Sequence, residues 1–380
     1  MQQYISLHNH TRRGSNFDGD IDVKRLVEFS KVQGLPAACI TDHGSMSAAF
    51  ELFKECRKEG IKHLIGCELY VMEEGGEKTA NGKDYYHLTA IAINLEGYKN
   101  LCRLSTIASL EQVRGKAKKP CVTNAQIFSH NAGLIILSGC ISSELNQSLS
   151  AGDELRAKKW IIKYRAVFKD RLYLELHCHY GIRKSWPSHT QKIVELGKKL
   201  NVARIITNDA HFLGKEDWFS QTLALSIGMK GNATLGSERL NNFEYTGEEY
   251  VKTREEIFQH FYDNSGLSSE EINVALDNTL KIADKFEDYS LFNVVKPIKF
   301  SPNAEAIFKQ KCADGMFNRY PPEALSPGLW ERLDYEMRVI SEMGFADYFL
   351  IVEDFCSFVR GIGHKVGKGR GSAAGSIVAY

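Results

Sequence analysis

The chain has 380 residues, of which 43% are apolar and 25% are charged, a composition that suits two or three globular domains with sizeable cores. Its formal net charge of +1 excludes a uniformly basic surface, so any contact with nucleic acid must rest on a local patch. The nine cysteines include no CxxC pair, and no stretch has the character of a signal peptide or a membrane span. We therefore expect a cytoplasmic protein with reduced thiols and no membrane contact.

From the N-terminus to residue 211, short apolar runs of strand character carry residue types that bind metal ions. The runs are YISLHNH, PAACITDHG, HLIGCELYV, YYHLTAIAIN, AGLIILSGC, RLYLELHCH and VARIITNDAH. The metal-binding types in them are His8, His10, His43, Glu68, His87, Cys140, Asp209 and His211. Helical spacing between the runs, as in Val23, Leu26 and Val27 before Gly34, predicts repeated βα units. In such barrels the strand ends converge on one face, so we expect these side chains to lie together.

This mixture of imidazole, carboxylate and thiolate suits Zn²⁺ or Mn²⁺. The HNH and NDAH motifs strengthen the prediction, because residues two apart on a strand point to the same face. Glu68 could bridge two cations, and clustered cations can hydrolyse a phosphoester. A lone histidine such as His63, His130 or His260 is better interpreted as a surface or core residue.

The motifs HxH, TDHG, GxE, SGC and TNDxH resemble the PHP (polymerase and histidinol phosphatase) domain, in the form found in bacterial DNA polymerase III α subunits. The resemblance implies a distorted (βα)7 barrel with nine metal positions. These are His8, His10, Asp18, His43, Glu68, His87, Cys140, Asp209 and His211. The stretch TRRGSNFDGD is shifted by one residue from the family pattern, which leaves Asp20 as an alternative to Asp18. His179 is expected near the site, whereas His177 and Cys178 are interpreted as neighbours without a role.

The middle of the chain predicts helices without chemistry. Residues 216–290 contain amphipathic stretches, and SSEE before the second of them is typical of an N-terminal cap. Further on, LWERLDYEMRVISEMGFADYFLIVEDFCSFVRGIG predicts two helices with a break at Gly344. Tyr348, Val352 and Phe355 mark one face of the second helix.

The last fifteen residues, VGKGRGSAAGSIVAY, predict a glycine-rich phosphate-binding loop that opens a helix. The alternative is a flexible loop between domains. The segment resembles the entry to the palm of C-family replicative polymerases, where GRGSAAGS holds the incoming nucleotide triphosphate. The expected nucleotide-binding residues are Lys368, Gly369, Arg370, Gly371 and Ser372. Lys368 stands where the family usually has proline.

These observations predict three domains: a PHP phosphoesterase domain over 1–215, a helical connector over 216–292 and an incomplete palm over 293–380. The palm carboxylates that hold Mg²⁺ in the family follow this loop, so we expect no nucleotide joining by these residues alone. A truncated chain, a split gene and protein splicing would each explain where the sequence stops. The expected partners are DNA, deoxynucleotide triphosphates and the C-terminal part of the polymerase, with a sliding clamp or proofreading subunit as further candidates.

Three functions remain open for the PHP domain. The first is 3′–5′ exonuclease proofreading, with His8, His10, Glu68 and Asp209 as the catalytic residues. The second is a small-molecule phosphatase of the histidinol-phosphatase type, although such an enzyme has no need of the GRGSAAGS loop. The third is a scaffold that cations stabilise and that docks other parts of a polymerase.

Overall fold

The computed structural model describes residues 3–72, 85–110, 119–177, 186–228, 246–292, 298–367 and 371–380. Contacts divide the chain into two compact units, Met1–Leu291 and Phe292–Tyr380. The further division of the first unit at residue 215 stays a prediction.

The first unit is built on one sheet of seven strands. The strands are β1 (Ala37–His43), β2 (Lys62–Met72), β3 (Tyr86–Ala92), β4 (Cys121–Thr123), β5 (Leu134–Leu137), β6 (Leu172–Leu176) and β7 (Ala203–Ile206). Their order is β1-β2-β3-β5-β6-β7, with β4 paired to β2. The α/β class predicted from the sequence is confirmed. The sheet is mixed rather than parallel throughout, because β3 runs antiparallel to both β2 and β5.

The N-terminal segment lies between the two ends of this sheet, although its expected strand does not form. It makes isolated bridges instead, one of which pairs Asn9 with Ala210 just after β7. The carbonyl of Asn9 accepts a hydrogen bond from the N–H of Thr41 in β1, at 2.9 Å. The segment therefore connects the first strand to the last and carries the HNH motif into the sheet.

Helices surround the sheet and fill the intervals between strands. In the first unit they are α1 (Val23–Val32), α2 (Ala49–Glu59), α3 (Leu95–Leu110), α4 (Asn124–Ser129), α5 (Glu144–Ser150), α6 (Glu154–Phe168), α7 (Trp186–Lys199), α8 (Trp218–Gly228), α9 (Arg254–Asn264) and α10 (Ser269–Asp284). The predicted cap of α10 is confirmed, since Ser268 and Glu271 form a reciprocal capping box. Apolar side chains of α10, including Ile272 and Leu276, belong to the same hydrophobic core as β5 and β6.

The second unit is helical. It contains α11 (Ala304–Arg319), α12 (Pro327–Glu342) and α13 (Ala346–Gly361). The break predicted at Gly344 is confirmed: this residue has φ 73° between α12 and α13. Its small core contains Ala304, Phe308, Ala346 and Leu350. None of the helices in the described ranges combines the length and the apolar character needed to cross a bilayer.

Candidate metal centre

Strand register brings the central ligand types of the candidate site together. In the parallel pair of β1 and β2, His43 lies opposite Glu68. In the antiparallel pair of β2 and β3, Tyr70 lies opposite His87. Because side chains alternate along a strand, Glu68 and Tyr70 share a face, and so His43, Glu68 and His87 point to the same side of the sheet. His87 lies near the start of β3, whereas His43 lies at the end of β1. Because β3 runs antiparallel to β2, the start of β3 lies at the same edge of the sheet as the end of β1.

Two loops at the ends of the sheet supply the remaining imidazoles and a carboxylate. Backbone hydrogen bonds join His10 N–H to the carbonyl of Ala210 at 2.8 Å and Ala210 N–H to the carbonyl of His8 at 2.9 Å. These bonds hold the HNH segment beside Asp209. The backbone of Asp209 has φ 45°, a left-handed conformation that is uncommon outside glycine and often marks a functional site.

Glu68 lies at the centre of the cluster, and each of its carboxylate oxygens touches two other groups. Oε1 lies 3.3 Å from His8 Nε2 and 3.3 Å from Cys140 Sγ. Oε2 lies 2.5 Å from His43 Nδ1 and 3.0 Å from His87 Nδ1. A carboxylate in contact with four potential ligand side chains through both oxygens has the geometry expected of a group that bridges cations.

The predicted metal positions fall into three neighbouring groups around Glu68. In the first, Asp209 Oδ1 lies 3.3 Å from His8 Nε2 and 3.0 Å from His10 Nε2. In the second, Cys140 Sγ lies 3.5 Å from His87 Nδ1. The third group contains His43, whose ring stacks on His10 with the centroids 3.9 Å apart.

The third group is completed by His211 and Asp18. The rings of His211 and His10 lie 4.4 Å apart between centroids, and Asp18 Oδ2 lies 3.4 Å from His43 Nε2. Asp20, the alternative to Asp18, instead forms an ion pair with Arg12 at 3.3 Å. The structure thus places Asp18 rather than Asp20 at the cluster.

Exposure differs sharply across the cluster. The side chains of His8, His10 and Glu68 are fully buried, whereas that of Asp18 is 48% exposed. His43, His87, Asp209 and His211 lie between these limits. The site therefore has a closed floor and opens towards solvent on the side of Asp18.

The charges of the cluster shift the pKa of its members strongly. Burial lowers the pKa of His10 to about 3, with the imidazoles of His43 and His211 acting in the same direction. Burial alone would raise the pKa of Glu68, but His87 and His43 outweigh it and hold that pKa well below its usual value. Burial, followed by the negative charge of Glu68, raises the pKa of the Cys140 thiol well above its usual value.

These residues fit divalent cations. A neutral His10 and an ionised Glu68 are in the protonation states that metal ligation requires, whereas the Cys140 thiol would need a nearby cation to ionise. The buried Nε2 atoms of His8 and His43 face carboxylates at 3.3 and 3.4 Å without a well-formed hydrogen bond in the described residues. Burial alone would lower the pKa of these two imidazoles, but the neighbouring carboxylates outweigh it and raise both, so a bound cation would have to displace a ring proton. Mixed nitrogen, oxygen and sulfur donors suit a transition-metal cation better than Mg²⁺ or Ca²⁺, which bind oxygen ligands. The metal-binding role of each residue stays a prediction.

Several buried polar residues beneath the cluster escaped the sequence interpretation. Glu175 lies 2.7 Å from His8 Nδ1, and His177, which was interpreted as having no role, lies 3.4 Å from Glu175. Asp42 accepts hydrogen bonds from the Thr11 N–H at 2.6 Å and the Ser15 hydroxyl at 2.8 Å. The signal for Glu175 was its position two residues before His177 in a strand, which places both on one face.

The lone histidines lie apart from the cluster. His63 is surrounded by the rings of Phe53, Phe286 and Tyr289. His130 Nδ1 lies 2.9 Å from the carbonyl of Gln126. Neither belongs to any group of potential metal ligands in the described part of the chain.

The predicted nucleotide-binding loop is only partly described. Lys368, Gly369 and Arg370 lie outside the described residues, as do Cys178 and His179 of the earlier strand run. Gly371 and Ser372 begin a short 3-10 helix, Gly371–Gly375. The expected α-helix over SAAGSIVAY does not form in the described residues 371–380, and the nucleotide-binding role of the loop stays a prediction.

Sequence comparisons identify two known families along the chain. The PHP domain matches residues 6–179, and the "Bacterial DNA polymerase III alpha NTPase domain" matches residues 306–380. The first match covers the strand runs that carry His8 to Cys140 but ends before Asp209 and His211. The second covers most of the helical unit and the glycine-rich loop.

Three curated relatives are each named "DNA polymerase III subunit alpha". The protein of Treponema pallidum (strain Nichols) is 36% identical over 99% of this chain and 31% of its own length. That of Aquifex aeolicus (strain VF5) is 32% identical over 100% of this chain and 33% of its own length. That of Borreliella burgdorferi is 33% identical over 100% of this chain and 32% of its own length. The chain thus spans about a third of the length of these relatives.

Proposed function

We propose a function for this chain on the premise that it belongs to the family of bacterial DNA polymerase III α subunits and corresponds to their N-terminal part. The proposed function of its first unit is that of a metal-dependent phosphoesterase acting on the 3′ end of DNA. The observation that carries the proposal is the position of Glu68, whose two oxygens contact His8, Cys140, His43 and His87. Packing of a hydrophobic core would not by itself account for four metal-binding side chains around one buried carboxylate, whereas a cation site would.

We propose three cation positions, which the contacts support. The first would be held by His8, His10, Glu68 and Asp209; the second by Glu68, His87 and Cys140; the third by Asp18, His43 and His211. We propose Zn²⁺ or Mn²⁺ for these positions. When bound, such cations supply Lewis acidity towards a phosphodiester and a hydrolytic nucleophile at neutral pH.

The chain's own residues determine how a substrate reaches this site. The floor of His8, His10 and Glu68 is closed to solvent, so a phosphodiester enters from the side of Asp18 and His43. We propose a strand end rather than a continuous duplex as the substrate, because His8, His10 and Glu68 are fully buried and Asp18 is the most exposed residue of the cluster. The proposed products are single nucleotides released from the 3′ terminus.

A nuclease assay with a mismatched primer–template tests the proposal. The purified chain with Mn²⁺ is expected to release nucleotides from the mismatched 3′ end, and the double variant His8→Ala with Asp209→Ala is expected to release none above background. His130→Ala is the matched control, because His130 is a histidine of the same unit outside the cluster. Equal release by the double variant and the unaltered chain would contradict the proposal.

The same assay separates DNA hydrolysis from the histidinol-phosphatase alternative. Turnover of small phosphomonoesters is measured beside turnover of oligonucleotides, at equal enzyme and Mn²⁺ concentrations. The proposal expects oligonucleotides to be the better substrates. The opposite order would favour the small-molecule phosphatase.

A second candidate function concerns the helical unit, whose α13 carries an apolar face in solvent. Tyr348, Val352, Phe355, Phe358 and Ile362 are between 39% and 67% exposed. Their spacing places most of them along one side of the helix. An apolar face of this extent is typical of a protein–protein contact, and we propose that the C-terminal part of the polymerase, with its Mg²⁺-binding palm carboxylates, covers it.

Binding of a separately expressed C-terminal part tests this docking function. Phe355→Asp combined with Phe358→Asp is expected to weaken binding at least tenfold, whereas Lys309→Ala on the exposed side of α11 leaves it unchanged. Nucleotide and primer-template DNA would then bind to the joined parts, and nucleotide joining would require both. Retention of full affinity by the double variant would exclude α13 as the docking face.

A further inference from the structure

Glu175 in β6 is a fully buried carboxylate beneath the cluster, outside the nine predicted metal positions. Its Oε1 lies 2.7 Å from His8 Nδ1 and accepts a hydrogen bond from the Thr207 hydroxyl at 2.6 Å. Its Oε2 accepts the Gly139 N–H at 2.9 Å. The carboxylate of Glu175 in β6 therefore contacts the segments that follow β5 and β7. The segment after β5 contains Gly139, which directly precedes Cys140.

The two nitrogens of the His8 ring face opposite partners. Nδ1 faces Glu175, while Nε2 lies 3.3 Å from Glu68 and 3.3 Å from Asp209. A neutral imidazole has one N–H and one lone pair. A carboxylate beside Nδ1 holds the hydrogen there, which leaves the lone pair of Nε2 directed into the cluster.

His10 and His211 show the same arrangement with weaker acceptors. His10 Nδ1 lies 3.2 Å from the Ser15 hydroxyl, and its Nε2 faces Asp209. His211 Nδ1 lies 2.7 Å from the backbone carbonyl of Asp209. Among these three, His8 has the shorter contact between Nδ1 and a carboxylate in the described residues, at 2.7 Å to Glu175, whereas His211 Nδ1 lies 3.9 Å from Asp209 Oδ1.

We propose that Glu175 is a positioning residue, which holds His8 with its hydrogen on Nδ1 so that Nε2 is presented to a divalent cation. The inference rests on the proposed metal site but does not depend on hydrolysis. Through the Gly139 N–H, the same carboxylate fixes the loop that carries Cys140. A Cβ atom at residue 139 would lie 2.9 Å from the carbonyl oxygen of His87, so the backbone here packs too closely for a side chain.

An alternative use of the same residues is a further cation site. Ligand atoms of His8, Glu175 and His177 lie within 4.8 Å of one another. Such a site needs a lone pair on Nδ1 of His8. The 2.7 Å contact with Glu175 indicates that Nδ1 carries a hydrogen instead. The site also needs Glu175 Oε1, which already accepts from Thr207. The geometry therefore favours orientation of His8 over an additional ion.

Binding of Mn²⁺ and Co²⁺ to the unaltered chain and four variants tests the inference. The variants are Glu175→Ala, Glu175→Gln, His177→Gln and Tyr164→Phe. Tyr164→Phe is the matched control, because it removes a buried hydrogen bond to Asn124 in the same unit. Affinity is measured by calorimetry at a temperature where circular dichroism shows every variant folded. The visible absorption of bound Co²⁺ reports ligand geometry, which a purely structural defect would leave unchanged.

We expect Glu175→Ala to weaken cation binding by about 10- to 100-fold and to change the Co²⁺ spectrum. Glu175→Gln keeps an acceptor for His8 but places an NH₂ group near the Gly139 N–H, so a smaller loss is expected. His177→Gln and Tyr164→Phe are expected to bind like the unaltered chain.

Three results would overturn the inference. Equal affinity and an equal spectrum for Glu175→Ala and Tyr164→Phe would exclude a positioning role. Loss of one whole ion in both Glu175→Ala and His177→Gln would show that the trio is itself a cation site. Absence of any cation in the unaltered chain would instead remove the proposed metal site, and the role of Glu175 with it.

Discussion

The two units of this chain use their interiors in opposite ways. The first unit encloses charge, since Glu68, Glu175 and the imidazole of His8 are fully buried in it. The second unit buries few apolar side chains and leaves others in solvent, such as Phe355 and Phe358. Buried charge costs free energy unless it is paired or binds a cation, and exposed apolar surface costs free energy unless a partner covers it. The difference indicates that the first unit is organised around a site and the second around an interface.

The largest effect expected from disturbing the buried charge is that of Asp209→Asn. Asparagine tolerates the left-handed backbone at φ 45°, so the fold should survive. Asparagine keeps a side-chain oxygen but loses the negative charge that faces His8 and His10. Release of nucleotides from a mismatched 3′ end is expected to fall at least ~100-fold. This exceeds the loss typical of replacing a residue that only orients a metal ligand. A fall of less than threefold in a folded variant would show that the floor of the cluster is not a functional site.

The sequence identified most of the candidate site because each ligand type belongs to a local motif. The motifs HNH, TDHG and NDAH mark the ends of apolar strand runs. The alternation of side chains along a strand then predicts which residues of a motif share a face. His43 was predicted from TDHG, Glu68 from its place in the run HLIGCELYV and His87 from its place at the opening of YYHLTAIAIN, and their side chains are in contact.

Glu175 could not be assigned a role from the sequence because that role depends on which strands are neighbours. It lies in β6, between β5 and β7, and its partners Gly139 and Thr207 come from the ends of those two strands. The antiparallel direction of β3 and the missing N-terminal strand depend on long-range pairing in the same way. β4 escaped prediction because it has three residues, too few to show a period.

An intermediate effect is expected from Gly14→Ala in the loop after the HNH motif. A Cβ atom at residue 14 would lie 2.0 Å from Asp42 Oδ2, and Asp42 is buried and holds Thr11 and Ser15. Either the loop or Asp42 must move, which should destabilise the fold by about 2–3 kcal/mol. Chemical denaturation measures this change.

Gly315→Ala in α11 is the matched control from the second unit. Nothing lies within 4 Å of a Cβ atom added there, so the substitution should stabilise the helix by roughly 0.5–1 kcal/mol. Opposite signs for the two glycine substitutions would sharpen the contrast between a tightly packed loop and an open helix. Equal, small effects would show that the loop after HNH is not constrained by Asp42.

A further modest effect concerns His63, a buried histidine that belongs to no ligand cluster in the described residues. Its side chain lies among aromatic rings, with the centroid of Tyr289 4.7 Å away. Burial lowers its pKa to about 4; the Arg57 guanidinium acts in the same direction, and Asp288 acts against it. Below pH 6.5 an unfolded chain protonates this histidine while the folded chain does not, so the free energy of unfolding should fall between pH 6.5 and about 4.

Replacement of His63 by leucine separates this contribution from that of the carboxylates and imidazoles around Glu68, which are the same in the variant and in the unaltered chain. The difference in free energy of unfolding between His63→Leu and the unaltered chain should shift in favour of the variant by on the order of 1–2 kcal/mol as the pH falls from 7.5 to 4.5. Denaturation in urea at a series of pH values measures the difference. Parallel curves would mean that His63 keeps its ordinary pKa. The acid sensitivity of the first unit would then come from other groups, with the charged cluster as the foremost source.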